Sequence, residues 1–262
     1  MDPRETAQAN ATASATLLAA LASGGVREVV FSPGSRSTPL VLAAARHPAL
    51  RTWPVLDERV AGFLALGLAR ASGRPVALLC TSGSAGAHWL PALIEARQAH
   101  LPLIALTADR PPVLVGSGAG QTIDQRGLFG RFVAYDATLP VPGPGVPPAV
   151  FAAFAEDALL AGGPAHLNLP FDEPLWRPDA EAGPVAARAG LARAGHADLQ
   201  VPETLVEFLE AGRRGVILAG PESVTGPEGA AALDALERRW AGRCWSRPRR
   251  ARGSGPAIPP RV

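Results

Sequence analysis

Lysine is missing from the chain altogether, so all 25 basic side chains are arginine and the net charge of +2 is an arginine balance. Beside 28 Gly, 27 Pro and abundant Ala, this reads as the composition of a GC-rich gene and not as a nucleic-acid-binding surface. Only two cysteines occur, Cys80 and Cys244, which excludes a disulfide framework and a cysteine-rich metal centre. Cys80 ends an apolar run and reads as a core residue. No stretch reaches the roughly 18 consecutive apolar residues of a membrane-spanning helix. The first 25 residues hold no basic start leading into an unbroken apolar segment. The chain is therefore expected in the cytoplasm, with no membrane and no nucleic acid as partner. Its five histidines, His47, His88, His100, His166 and His196, lack ligand spacing and read as surface or packing residues.

What is present is a chain of 262 residues, 47% hydrophobic and 18% charged, long enough for one large domain or one domain plus part of another. Apolar residues at helical spacing from Thr12 to Ala22 predict a helix stopped by Gly24-Gly25, and Val26 to Phe31 a buried strand. Ser32-Pro33-Gly34-Ser35-Arg36-Ser37 is turn chemistry, followed by Thr38 as N-cap and Pro39 as first helical residue. Thr52 to Val55 reads as a strand and Val60 onward as a helix, so Glu58 sits where one hands over to the other. Asp57 and Glu58 there read equally as helix caps favouring the positive N-terminus. Pro75 to Cys80 is a strand buried on both faces, and Thr81-Ser82-Gly83-Ser84 leads to a helical stretch over Ala85 to Ala99 that Pro91 should kink or divide. Leu103 to Thr107 is the next strand, ending in Asp109-Arg110. In a parallel sheet with right-handed crossovers, all four polar strand ends lie on one edge, where α/β proteins bind ligands.

Gly116 to Gln121 is glycine-rich but lacks the dinucleotide fingerprint. A strand over Phe132 to Leu139, a Pro-Gly connector, a helix over Ala149 to Leu160 and a strand over Ala165 to Pro170 complete a doubly wound α/β sheet. Residues 1–178 are thus expected to form one domain, 179–198 a linker and 199–242 the truncated start of a second domain. The stretch 243–262, without periodicity and rich in arginine, reads as an irregular, non-native tail.

Four runs carry a resemblance. Phe31-Ser-Pro-Gly-Ser-Arg-Ser-Thr-Pro-Leu40, Asp57-Glu-Arg59, Thr81-Ser-Gly-Ser84 and Thr107-Ala-Asp-Arg-Pro-Pro112 occur in the order seen in the N-terminal part of the 2-succinyl-5-enolpyruvyl-6-hydroxy-3-cyclohexene-1-carboxylate synthases, thiamine-diphosphate enzymes of menaquinone biosynthesis. The resemblance covers about residues 15–175. It implies decarboxylation of 2-oxoglutarate and addition of the succinyl unit to isochorismate, with thiamine diphosphate and Mg2+ as cofactors and a dimer or tetramer as the complete assembly. It makes Glu58 the catalytic acid at the cofactor's pyrimidine ring, places Thr81, Ser82 and Gly83 at the cofactor, and places Ser35, Arg36, Arg110 and Gln121 at the substrates. Gly120 departs from relatives that carry Asn before this Gln. The resemblance puts the metal and diphosphate ligands in a C-terminal domain, and no Gly-Asp-Gly run with a following Asn occurs after Pro170. This chain alone is therefore expected to be inactive. Two other readings stay open: another thiamine-dependent 2-keto acid lyase, and a non-catalytic α/β module for carboxylate binding or assembly.

Overall fold

The computed structural model of the chain describes residues 2–182, 202–211, 216–219, 226–240 and 243–246. Two compact units divide it, Met1–Arg193 and Ala194–Val262.

In the first unit, helix α1 spans Pro3–Ser23, capped by Asp2, whose side chain accepts from the Arg4 N–H at 2.9 Å. It begins nine residues before the expected start. The buried face of its first turns is made of Thr6, Ala7, Asn10 and Ser14, which carry no hydrophobic period. Asn10 instead donates to the carbonyls of Asp172 and Pro174 at 2.9 and 3.2 Å, anchoring the turn after the last strand. Strand β1 (Glu28–Phe31), helix α2 (Thr38–Arg46), β2 (Arg51–Pro54), α3 (Glu58–Ser72), β3 (Val76–Cys80), α4 (Leu90–Gln98), β4 (Leu103–Asp109), β5 (Tyr135–Thr138), α5 (Ala149–Leu160) and β6 (Ala165–Pro170) follow. The strands lie in the order β2-β1-β3-β4-β6-β5, and every pair is parallel.

Alternation along the strands explains why both faces are covered. On one face Val29, Ala77, Leu79, Ile104, Leu106, Leu167 and Leu169 pack against Leu17, Leu18 and Leu21 of α1, Leu40 of α2 and Phe151 of α5. On the other, Val30, Leu78, Cys80, Leu103 and Ala105 meet Ala61, Ala65 and Ala69 of α3 and Trp89 and Leu93 beside or in α4. Cys80 is a core residue, as expected, and so is Trp89.

Four other boundaries also differ from the sequence reading. A 3-10 turn, Ser35–Ser37, precedes α2, so Ser37 and not Thr38 holds the cap position. The stretch before Pro91 is a 3-10 helix, Gly83–Trp89, and Pro91 stands in the first turn of α4, where its missing N–H costs no helical bond. Asp109, read as loop, is the last residue of β4 and pairs with Pro170 of β6. The strand expected from Phe132 is confined to Tyr135–Thr138, because Gly130 (φ +50°) opens a 3-10 turn through Phe132 that seats Phe129 and Val133 in the second cluster.

The second unit holds α6 (Glu203–Glu210), β7 (Val216–Ala219), α7 (Gly226–Trp240) and β8 (Arg243–Ser246), with β7 and β8 parallel in register from Val216↔Arg243 to Ala219↔Ser246. Arg243–Ser246 thus corrects the expectation of irregular chain from 243 onward. Four residues are too few for a side-chain period to declare a strand. The linker over 183–198 and the tail beyond 246 lie outside the described residues.

Candidate active site at the carboxyl edge of the sheet

The strand order reverses direction between β1 and β3, and in open parallel sheets such a reversal leaves a crevice at the carboxyl ends of the two strands. The Ser32–Ser37 segment and the Thr81–Gly83 turn meet there. They touch at Gly34, where an added Cβ would lie 2.3 Å from Thr81 Cβ. Two hydroxyls at this point, Ser32 Oγ and Thr81 Oγ1, are buried without a hydrogen-bond partner, an uncommon state for buried polar atoms. Ser35 beside them is exposed.

From the β2 side the crevice is flanked by Asp57-Glu58, and the two carboxylates have different jobs. Asp57 is the N-cap of α3: Oδ1 accepts from the Arg59 N–H at 2.9 Å and the Val60 N–H at 3.4 Å, while Arg59 Nε and Nη2 grip the same carboxylate at 3.0 and 2.5 Å. The Arg59 side-chain bond holds the Asp57 carboxyl well below the usual carboxylate range. Glu58, in the first turn of α3, is half-buried and makes no hydrogen bond or ion pair with any described residue. Its charge is felt at Cys80 on the end of β3, whose thiol is pushed up by burial first and by Glu58 second. Capping thus accounts for Asp57 and leaves Glu58 unexplained by structure.

A third group assembles on the far side of β3. Arg110 Nη1 donates to Ser82 Oγ at 2.5 Å and to the Gln121 carbonyl at 2.7 Å, and Gln121 Nε2 donates to the Ser82 carbonyl at 3.1 Å. Gly83 is left-handed (φ +85°), and a Cβ there would lie 3.0 Å from Gln121 Cγ, so the turn admits only glycine comfortably. Ser82, Gly83, Arg110 and Gln121 are therefore one cluster, and Gly120 faces open space. Arg110 also lines a cavity of about 340 Å³ with Asp109, Asp124, Arg126 and Asn168. Burial raises the Asp109 carboxyl, opposed by hydrogen bonds from Asn168 and the Arg110 N–H.

Arg36 is not brought into that cluster. It is 7% exposed, and its guanidinium donates to the Phe171 carbonyl at 3.0 Å and to Glu173 Oε1 at 2.6 Å, so a carboxylate of the chain itself already fills part of its fork. The sequence reading also passed over Gln125, 1% exposed in an otherwise open loop, whose amide reaches the Gly83 turn. Its only sequence signal is the repeat of glutamine four residues after Gln121. Among the described residues no group of three or more His, Cys, Asp or Glu side chains is arranged to hold a metal ion.

Residues 11–128, which contain every one of these candidate residues, match the family described as thiamine pyrophosphate enzyme, N-terminal TPP binding domain. The chain is 51% identical over 221 residues to a 2-succinyl-5-enolpyruvyl-6-hydroxy-3-cyclohexene-1-carboxylate synthase of Chloroflexus aurantiacus, a match covering 79% of this chain and 37% of the relative. It is 44% identical over 246 residues to the synthase of a Roseiflexus species and 43% over 245 residues to that of Roseiflexus castenholzii, each match covering 85% of this chain and 42% of the relative. The chain thus spans well under half the length of these curated relatives. By its all-parallel sheet, the matched domain and these identities, it belongs to the 2-succinyl-5-enolpyruvyl-6-hydroxy-3-cyclohexene-1-carboxylate synthase family of thiamine-diphosphate enzymes, of which it represents an N-terminal portion.

Proposed function

We propose that this chain supplies the pyrimidine-binding half of a thiamine-diphosphate site that decarboxylates 2-oxoglutarate and adds the succinyl unit to isochorismate. The observation carrying the reading is the division of labour at Asp57-Glu58: the cap is complete without Glu58, whose carboxylate stands unpaired at the carboxyl edge of the sheet. The unpartnered Ser32 and Thr81 hydroxyls at the adjoining strand ends fit a crevice built to receive polar groups. Bound there, the cofactor would supply an electron sink for decarboxylation of a 2-keto acid.

Glu58 would hold and exchange a proton at the pyrimidine ring nitrogen, acting as an acid–base group there. Thr81, Ser82 and Gly83 would shape the wall against which the ring rests. Arg110 and Gln121, already fixed to Ser82, would orient a substrate carboxylate through the donors they have left. Ser35, exposed in the 3-10 turn before α2, would contribute a hydroxyl to the same anion. Arg36 would join them only by leaving Glu173. Magnesium and the diphosphate would be held by groups outside the described residues.

Leu56, Val60 and Phe63, exposed by 86%, 58% and 51%, surround Glu58 with apolar surface, which favours a homo-oligomer in which another subunit covers the site. No described helix is long and apolar enough to cross a membrane, and the family's chemistry favours the cytoplasm.

Isothermal titration with thiamine diphosphate and magnesium tests the reading. Weak binding is expected, weakened about fivefold or more in Glu58→Gln and unchanged in Asp57→Asn, and the chain alone should not turn over 2-oxoglutarate with isochorismate. Binding that ignores Glu58→Gln, or turnover that survives it, would remove the role assigned to Glu58.

A further inference from the structure

We infer that Gln125 is a positioning residue, a buried amide that clamps the Thr81–Gly83 turn through the Gly83 N–H and so holds the wall of the proposed cofactor site. Its orientation is dictated by the backbone. Oε1 accepts from the Gly83 N–H at 2.7 Å, and Nε2 donates to the Ala108 carbonyl at 3.2 Å; neither backbone group can exchange roles. The second Nε2 proton goes to Asn168 Oδ1 at 2.8 Å, which turns Asn168 Nδ2 toward Asp109 Oδ2 at 2.8 Å. Thr107 Oγ1 donates to Asn168 Oδ1 at 2.9 Å and lies 2.8 Å from His166 Nε2, and His166 Nδ1 lies 2.8 Å from Asp136 Oδ2. One side chain therefore joins the turn after β3 to β4 and, through Asn168, to β6 and the edge strand β5.

The loop that carries Gln125 grips this turn twice. Gln121 holds Ser82 through its side-chain amide and its carbonyl, and Gln125 holds the next residue. Gly83 lies beyond the last residue of β3, so its N–H has no partner in that ladder and needs an acceptor elsewhere. Gln125, 1% exposed, supplies it from within the fold. A break there frees the turn on one side while the strand pairing of β3 with β4 stays intact.

The role at the cofactor rests on the function proposed above, and the test separates the two. In the 262-residue chain, Gln125→Met removes every bond, whereas Gln125→Glu keeps an acceptor for Gly83 and loses the donors to Ala108 and Asn168. Backbone hydrogen exchange and titration with thiamine diphosphate plus magnesium are read on both. In Gln125→Met the Gly83 amide should exchange about tenfold faster or more, with Leu79 and Leu106 unchanged, and thiamine diphosphate should bind about threefold more weakly or worse. Gln125→Glu should melt lower yet keep Gly83 protection and affinity near those of the parent. Unchanged Gly83 exchange in folded Gln125→Met, equal loss across the sheet, or equal effects of the two variants would overturn the clamp. Should Gln125→Met fail to fold, fast Gly83 exchange in Gln125→Glu would do the same. A parent chain that binds no thiamine diphosphate removes the cofactor reading, while exchange at Gly83 still decides the clamp.

Discussion

Asp57 and Glu58 are nearly the same chemical group one residue apart, and geometry alone assigns them different work. A residue at N-cap can accept from the N–H groups two and three residues on, and Asp57 does so; a residue in the first helical turn points out of the helix, and Glu58 finds no partner among the described residues. Steric fit at Gly34 is equally specific. Its φ of 179° suits any residue, so the constraint is the approach to Thr81 alone. Gly34→Ala should destabilise the chain by about 1–3 kcal/mol in urea unfolding, with the slope of the transition unchanged. His47 gives the chain a pH dependence. Burial, then the Arg27 charge, lowers its pKa from 6.5, so just below that pH the unfolded chain takes up a proton that the folded chain refuses. Stability should fall as pH drops below 6.5 and level off once the folded imidazole also titrates. Denaturation midpoints of His47→Gln across this range should lose that slope.

Among the elements, α3 shows how a helix can be bound to a sheet by alanine. Ala61, Ala65 and Ala69 recur every fourth residue, are fully buried, and let the helix approach β3 and Trp89 closely. Ala65→Leu should cost about 1–3 kcal/mol by overpacking, measured by thermal unfolding, although leucine is itself a good helix former. The periodicity of this helix was legible because leucines flank the alanines. The start of α1 was not legible, because Asn10 earns its burial through two carbonyls of a turn more than 160 residues away. Asp109 was misread as loop for a similar reason: its carboxylate is satisfied by Asn168 on the neighbouring strand, a partner the local sequence does not reveal.

At the level of the whole molecule, the first unit covers both faces of its sheet with its own helices and should stand alone. A fragment of residues 1–193 is expected to unfold cooperatively, followed by circular dichroism, within a few degrees of the first transition of the full chain; loss of that transition would show that the sheet depends on the second unit. The second unit is described as two helices and a two-stranded parallel pair.

The linear sequence determined the α/β class, five of the six strands nearly to the residue and the meeting of four polar strand ends on one edge, because buried parallel strands must be apolar and their exits polar. It also marked Glu58, Arg110 and Gln121 through runs shared with a known family. Only the tertiary structure decided which carboxylate is cap and which is free, that Arg36 is held by Glu173, and that Gln125 reaches the Gly83 turn. The last two depend on partners distant along the chain, and hydrogen bonds made across a fold leave no period in the sequence for a reader to follow.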